Sequence, residues 1–271
     1  MSPEIDLQAI ASRRIVYRIP RECVRRAQSY RAADGTMQPI DIYYPSTAVS
    51  GSMLPAVVMI TGYPDAGMLR IFGRHAKEFG SNVSWAEAIA ASGLIVVTYV
   101  NVKPYDDAVN VLQHISDYGT ELGIDRSRLG VWSCSGNVPN ALGLLMGAPD
   151  GRISCAALLY GYMLDLNGST IVKDASRFGF VTPATGRSTA DLPTRVPLIV
   201  ARAGLDEMPG LNRTIDAFVE QALENNLAIS LVNHREGPHA FDAVHDSDET
   251  RRIIRQVLVF LTSRLLPATD K

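Results

Sequence analysis

Cysteine is scarce. The chain has three in 271 residues, Cys23, Cys134 and Cys155, an odd number with no zinc-site spacing, which argues against a disulfide or metal framework. Neither sign of charge prevails: a formal charge of −2 leaves no basic excess to mark a phosphate-binding surface, so nucleic acid is not an expected partner. Long apolar runs are missing too. Stretches such as Leu94–Val100 fall far short of the roughly 18–20 residues a membrane-spanning helix needs, so no membrane association is expected. The first 18 residues interleave Glu4, Asp6, Arg13, Arg14 and Arg18 with apolar positions and read as no secretory signal, which makes a cytoplasmic location the expectation. Repeats and low-complexity tracts are absent, and turn residues recur at short intervals. With no linker to place, residues 1–271 are expected to form a single domain with a sizeable core, since 46% of the chain is hydrophobic.

What is present is a regular alternation. Residues 24–44, broken by Asp34-Gly35, read as a β-hairpin, because Asp-Gly supplies the positive φ angles of a tight turn. Six apolar runs follow: Ala56–Ile60, Leu94–Val100, Leu129–Trp132, Ile153–Leu159, Pro197–Ala201 and Leu227–Val232. Several are continuous and β-branched, the pattern of parallel strands buried on both faces. Between them, Trp85, Ala88 and Ile89, then Ala108, Val111, Leu112 and Ile115, then Ile215, Phe218, Val219 and Leu223 fall at helical spacing. A last helix is expected over Thr250–Leu266, stopped by Pro267, with Asp246 and Glu249 spaced as a capping box before it. Hairpin plus six strands predicts a mostly parallel eight-stranded α/β sheet with helices on both faces. One segment breaks the rhythm. Residues 161–195 hold Gly, Ser, Thr and Asp with only short apolar clusters, too long for a plain loop, and are read as a cap or lid insertion.

In such a sheet, ligands bind beyond the carboxyl ends of the strands. After Leu129–Trp132 comes Ser133-Cys134-Ser135-Gly136-Asn137 and then an apolar helix with Pro139 in its first turn. A strand, sharp turn and helix with small residues around one serine is the layout that presents a nucleophile above a sheet. Residues 130–137 resemble the nucleophile elbow of the α/β-hydrolase fold, particularly of esterases and dienelactone-hydrolase-like members. The usual motif is G-x-S-x-G; here Ser133 and Asn137 replace the two glycines, and Asn tolerates left-handed backbone better than most residues.

The resemblance implies roles at the other strand ends. Thr61-Gly62-Tyr63-Pro64 is similar to the H-G-x-P oxyanion loop, which makes Tyr63 and Gly136 the expected donors to a developing oxyanion. Asp206, in Gly204-Leu205-Asp206-Glu207, stands where the family keeps its acid, with Glu207 as the fallback. His239, in Gly237-Pro238-His239-Ala240-Phe241, matches the late histidine; His234 competes but lacks that flanking Gly and Phe. His75, His114 and His245 are read as solvated or packed. Serine, acid and histidine fall in the chain order of this fold, the oxyanion loop ahead of them.

The expected activity is hydrolysis of a small carboxylic ester or lactone through an acyl-enzyme on Ser135, with no metal or organic cofactor. Cys134 stays open as the nucleophile, since dienelactone hydrolases use a cysteine and Cys134-Ser135-Gly136 also reads as nucleophile-x-Gly. A non-catalytic member binding a small molecule, or acyl transfer to another acceptor, is a further alternative. Tyr162, Phe178 and Phe180 are candidate lid contacts, and Arg74, Arg177 and Arg187 candidate anion contacts. The sequence leaves room for a homodimer.

Overall fold

A computed structural model describes residues 6–19, 22–49, 51–148 and 151–267. Strands β1 (Cys23–Arg31) and β2 (Met37–Pro45) form the hairpin, and β3 (Leu54–Met59), β4 (Ile95–Tyr99), β5 (Ile124–Cys134), β6 (Ile153–Leu159), β7 (Leu198–Ala203) and β8 (Ile229–His234) complete one sheet in the order β1-β2-β4-β3-β5-β6-β7-β8. β2 pairs antiparallel with both β1 and β4, whereas β3 to β8 are mutually parallel. Eight strands and one reversed direction are what the hairpin and the six apolar runs predict.

Both faces of the sheet are covered, which explains the apolar runs along its central strands, such as residues 56–59 and 95–97. Along β3, Ala56 and Val58 face one core and Val57 and Met59 the other. The first core is closed by α4 (Pro104–Tyr118), α5 (Val138–Gly147) and α7 (Leu211–Glu224), through residues such as Val111, Leu142 and Phe218. The second is closed by α3 (Gly80–Ala91) and α9 (Asp248–Leu265), through Trp85, Ile89, Val257 and Leu261; α1 (Leu7–Ser12) and α8 (Phe241–Val244) are short helices. From β3 the chain crosses to β4 on one side, and from β5 to β6 on the other. The two crossovers lie on opposite faces, so a crevice opens beyond the adjacent ends of β3 and β5, at the topological switch point.

Two local readings change. The cap of α9 is Ser247, whose hydroxyl accepts from the Thr250 N–H, rather than Asp246 with Glu249. Asp246 pairs with Arg251 and Glu249 with Arg252, so neither carboxylate is left to cap. A short helix absent from the sequence reading, α2 (Asp65–Phe72), follows the β3 loop and ends at Gly73 in left-handed backbone. Between β6 and β7 the chain makes only α6 (Ile171–Ala175) and short 3-10 turns, but Tyr162, Met163, Leu164, Val172 and Phe180 are buried in the first core. This excursion is therefore packed onto the sheet along much of its length. Among the described residues, no helix is long and apolar enough to cross a membrane.

Candidate active site

Ser135 is the first residue beyond β5 and has φ 55°, in the left-handed region, while Cys134 before it is extended at φ −141°. A non-glycine residue in that region is strained, and it persists only where its surroundings fix it. Here the fixing groups are at hand. The Ser133 hydroxyl donates to the Ile60 carbonyl (3.1 Å), and the Asn137 side chain accepts from the Gly62 N–H (2.7 Å). The turn is thus bonded to the end of β3 on both sides of its apex.

Ser135 Oγ lies 2.8 Å from His239 Nε2, and His239 Nδ1 lies 2.7 Å from Asp206 Oδ2. Serine, histidine and acid come from the ends of β5, β8 and β7 and meet in one hydrogen-bonded chain. The Asp206 carboxylate is fully enclosed, while the His239 side chain keeps 28% exposure toward the crevice. A carboxylate at Nδ1 holds the ring proton there, which leaves Nε2 to accept from the serine hydroxyl. Asp206 is itself held by the Met208 N–H (2.9 Å), and the two loops are joined where the Leu205 N–H donates to Gly237 O (2.9 Å).

Of the competitors, Glu207 is exposed, and His234 faces away, bonded to Thr250 Oγ1 (2.9 Å) and beside His245. Cys134 stands next to the serine, but burial pushes its thiol up to about 12, with the Asp242 carboxylate adding to the effect. A thiol so raised stays protonated, whereas the reactive form is the thiolate. The Cys134 reading therefore loses ground to Ser135, which alone has both the elbow backbone and the histidine.

The loop after β3 is pinned by asparagine side chains that the sequence reading missed. Asn101 Nδ2 donates to Tyr63 O (2.9 Å) and Thr61 Oγ1 (3.0 Å), and Asn140 Nδ2 donates to Thr61 O (2.7 Å). Glycine is required where the two loops touch: a Cβ on Gly62 would stand 2.8 Å from Gly136 O. A Cβ on Gly136 would stand 2.1 Å from the Tyr63 hydroxyl and 2.8 Å from the Phe180 ring. Tyr63 and Gly136 are thus brought together beside Ser135, and burial raises the Tyr63 phenol to about 12, so it remains a neutral hydroxyl.

Behind His239 lies a second feature with no counterpart in the sequence reading. The Tyr160 ring sits edge-on to the imidazole at 5.3 Å between centroids, and its hydroxyl donates to Asp242 (2.8 Å). Trp85 Nε1–H donates to the same carboxylate (2.6 Å), and Asp242 O accepts from the Val16 N–H (2.8 Å). Burial pushes the Asp242 carboxyl above its ordinary value against these hydrogen bonds. Of the predicted peripheral contacts, Tyr162 stacks on Phe180 (5.6 Å), which meets Tyr63 edge-on (5.9 Å), and Arg177 lies over the exposed Phe178. Arg74 and Arg187 do not join them: Arg74 reaches Gln8, and Arg187 caps Met146 O at the end of α5.

No family model matches the sequence, and no curated protein matches it. Solved structures do. A bacterial heroin esterase is similar at TM-score 0.69 and 17% identity, covering 91% of this chain and 86% of that one. A variant of LAE6, an α/β hydrolase enzyme from the metagenome of Lake Arreo, Spain, reaches TM-score 0.71 at 16% identity, covering 91% and 84%. The thermostable carboxylesterase EstE1, cloned from a metagenomic library, reaches 0.70 at 17%, covering 96% and 93%. At such identities it is the fold that is shared, and together with the strand order it makes this chain a protein of the α/β-hydrolase fold.

Proposed function

We propose that this protein is a serine hydrolase that cleaves a small carboxylic ester or lactone through an acyl-enzyme. The observation that carries the reading is the left-handed Ser135 with Oγ 2.8 Å from His239 Nε2, whose Nδ1 is 2.7 Å from the enclosed Asp206. Likeness of fold to several esterases supports it. Ser135 Oγ attacks the ester carbonyl carbon while His239 Nε2 takes its proton. The tetrahedral oxyanion is received by the N–H groups of Tyr63 and Gly136. Its collapse expels the alcohol, protonated by the imidazolium, and leaves an acyl-Ser135 ester. Water, deprotonated by His239, then releases the acid and restores the serine. Asp206 orients the ring and stabilises its charged form. In this reading the segment 161–195 serves as the cap, with exposed Phe178 toward the substrate and the buried Tyr162 and Phe180 packed behind Tyr63.

The test is covalent labelling with a fluorophosphonate, read by intact mass and peptide mapping, on wild type, Ser135→Ala and Cys134→Ala. One label on the Ser135 peptide, retained in Cys134→Ala and lost in Ser135→Ala, is the expected result. Absence of labelling, or a label on Cys134 alone, would overturn the assignment. A panel of p-nitrophenyl esters and lactones then separates hydrolysis from mere binding.

A further inference from the structure

We infer that the cavity between α2 and the turn at residues 178–179 is the subsite for the acyl chain of the substrate, and that this chain is an extended apolar one; the inference rests on the hydrolase reading above. The cavity measures about 460 Å³, within the size range of small-ligand sites. Tyr63, Pro64, Gly67, Ile71, Phe178 and Gly179 line it. Arg70 is the one charged residue in the lining. Such a wall offers an apolar group burial and offers a polar one few partners.

Its position relative to the nucleophile follows from one side chain. The hydroxyl end of Tyr63 rests on Gly136, next to Ser135, and its Cδ1 edge lies 3.9 Å from where a Cβ on Gly179 would stand. One aromatic ring therefore separates the elbow from the cavity. The turn that forms the far wall is fastened to the same loop, because the Val181 N–H donates to Gly62 O (2.9 Å). Phe178 and Ile71 are 47% and 51% exposed, an open apolar mouth that an incoming chain would cover.

The acyl side of the ester is the part directed there. His239 protonates the departing oxygen, so the alcohol leaves on the histidine side, and no residue of the Asp206 or His239 loops lines this cavity. A cavity of about 510 Å³ on the N-terminal segment is a poorer match: Arg14, Arg18, Glu22 and Glu87 give it a charged wall, and, unlike the α2 cavity with its Tyr63 and Pro64, it contains no residue of the four site loops. Acetyl groups end before the Tyr63 ring. Longer chains pass it and gain burial, each methylene contributing about four-fold in kcat/KM when fully enclosed.

Gly67 supplies a clean probe. It is a helical residue of α2 in the cavity lining, with nothing within 4 Å of where its Cβ would stand, so a side chain is accommodated there without a clash. Leucine is also a better helix former than glycine. The experiment compares wild type, Gly67→Leu and Phe178→Ala on p-nitrophenyl acetate through decanoate, and on acetate esters of ethanol through octanol.

The expected result is a wild-type kcat/KM that rises with acyl length and a Gly67→Leu enzyme within about two-fold of it on acetate but at least ten-fold slower on octanoate. Phe178→Ala should lose more on long acyl chains than on acetate. Parallel profiles for wild type and Gly67→Leu on the acyl series, with acetate hydrolysed, would overturn the subsite and leave the hydrolase reading standing. A Gly67→Leu effect confined to the alcohol series would overturn the acyl assignment. Failure of wild type to take the fluorophosphonate label or hydrolyse any ester would remove the hydrolase reading and this inference with it.

Discussion

The two halves of the site are held in place by different chemistry. On the side of β3 and β5, the elbow and the Tyr63 loop are fixed mainly by neutral amides: Asn101, Asn137 and Asn140 bond to the carbonyls and N–H of residues 61–63. On the side of β7 and β8, the His239 loop is fixed by titratable groups, namely Asp206, Asp242 through Trp85 and Tyr160, and the adjoining His234 and His245. On the first side the loop itself is bonded by side chains whose charge never changes, and the one carboxylate near them, buried Asp65, acts a step removed by accepting from the N–H and Nδ2 of Asn101 (2.8 and 3.2 Å). On the second side a titratable group, Asp206, bonds the reacting histidine directly, so the pH response of catalysis should be largest there.

The largest effect should come from cutting the chain through His239. Asp206→Asn keeps the size of the side chain but no longer fixes the proton on Nδ1, and kcat is expected to fall about 10⁴-fold with KM little changed. Steady-state kinetics on a reactive ester measure it, and a drop below ten-fold would mean that Asp206 is not the acid. Next comes Asp242→Ala, which leaves the buried Trp85 N–H and Tyr160 O–H without their acceptor, at about 1–3 kcal/mol each. Thermal unfolding should shift down by roughly 5–10 °C. If kcat fell as far as in Asp206→Asn with the melting temperature unchanged, Asp242 would belong to the chemistry rather than to the support of the loop.

How much of this was legible in the sequence depends on how far apart partners lie. Ser135, Asp206 and His239 each follow a strand that announces itself by an apolar run, so their positions could be read locally. The asparagines could not, because Asn137 acts on Gly62, 75 positions away, and Trp85 reaches Asp242 across 157. Asn137 stood out only as a departure from the motif, and the structure gives that departure a bond to make. β5 begins earlier than its apolar run, at Ile124, because the polar segment 125–128 lies near the outer end of the strand, where Asp125 accepts from Ser127 and Arg128, and Arg126 donates to Ser116 O. At α9, Asp246 and Glu249 have the spacing of a capping box, but Ser247 sits one residue nearer with a shorter side chain, and the two carboxylates go to arginines. α2 carried legible signals in Pro64, Asp65 and Gly73, but eight residues are too few to show a period.

Asn137 allows the neutral half to be tested directly. Asn137→Ala frees the Gly62 N–H and loosens the loop that aims the Tyr63 N–H, so kcat should fall roughly ten- to a hundred-fold while the fluorophosphonate still labels Ser135 slowly. Asn137→Asp keeps an acceptor for Gly62 but sets a negative charge beside a developing oxyanion. It should be slower than wild type at neutral pH and recover as the new carboxyl is protonated, a pH dependence that the Asn137 amide itself does not carry. A pH-independent deficit in Asn137→Asp would mean that geometry, rather than charge, is what the amide protects.

The smallest expected effect is on stability in the opposite half. Burial, and then the neighbouring His245, lower the His234 pKa below its ordinary value of 6.5, with Glu249 and Glu236 acting weakly the other way. A histidine held neutral in the fold takes up more protons when unfolded, so its contribution is present above about pH 6.5 and is lost as the pH falls below it. Asp242 has the opposite sign: its raised carboxyl makes burial less favourable as the pH climbs from 3.8. Between pH 7.5 and 5.5 acidification removes the histidine's contribution while it favours buried Asp242, so the comparison of wild type with His234→Gln isolates the histidine. Wild type should lose more of its melting temperature across that interval than His234→Gln, which should itself be less stable at pH 7.5 by about 1 kcal/mol through the altered bond to Thr250. If His234→Gln kept the full slope, the acid response would have to arise outside the β8 end of the loop, and His245, the other member of the pair, would be the next residue to replace.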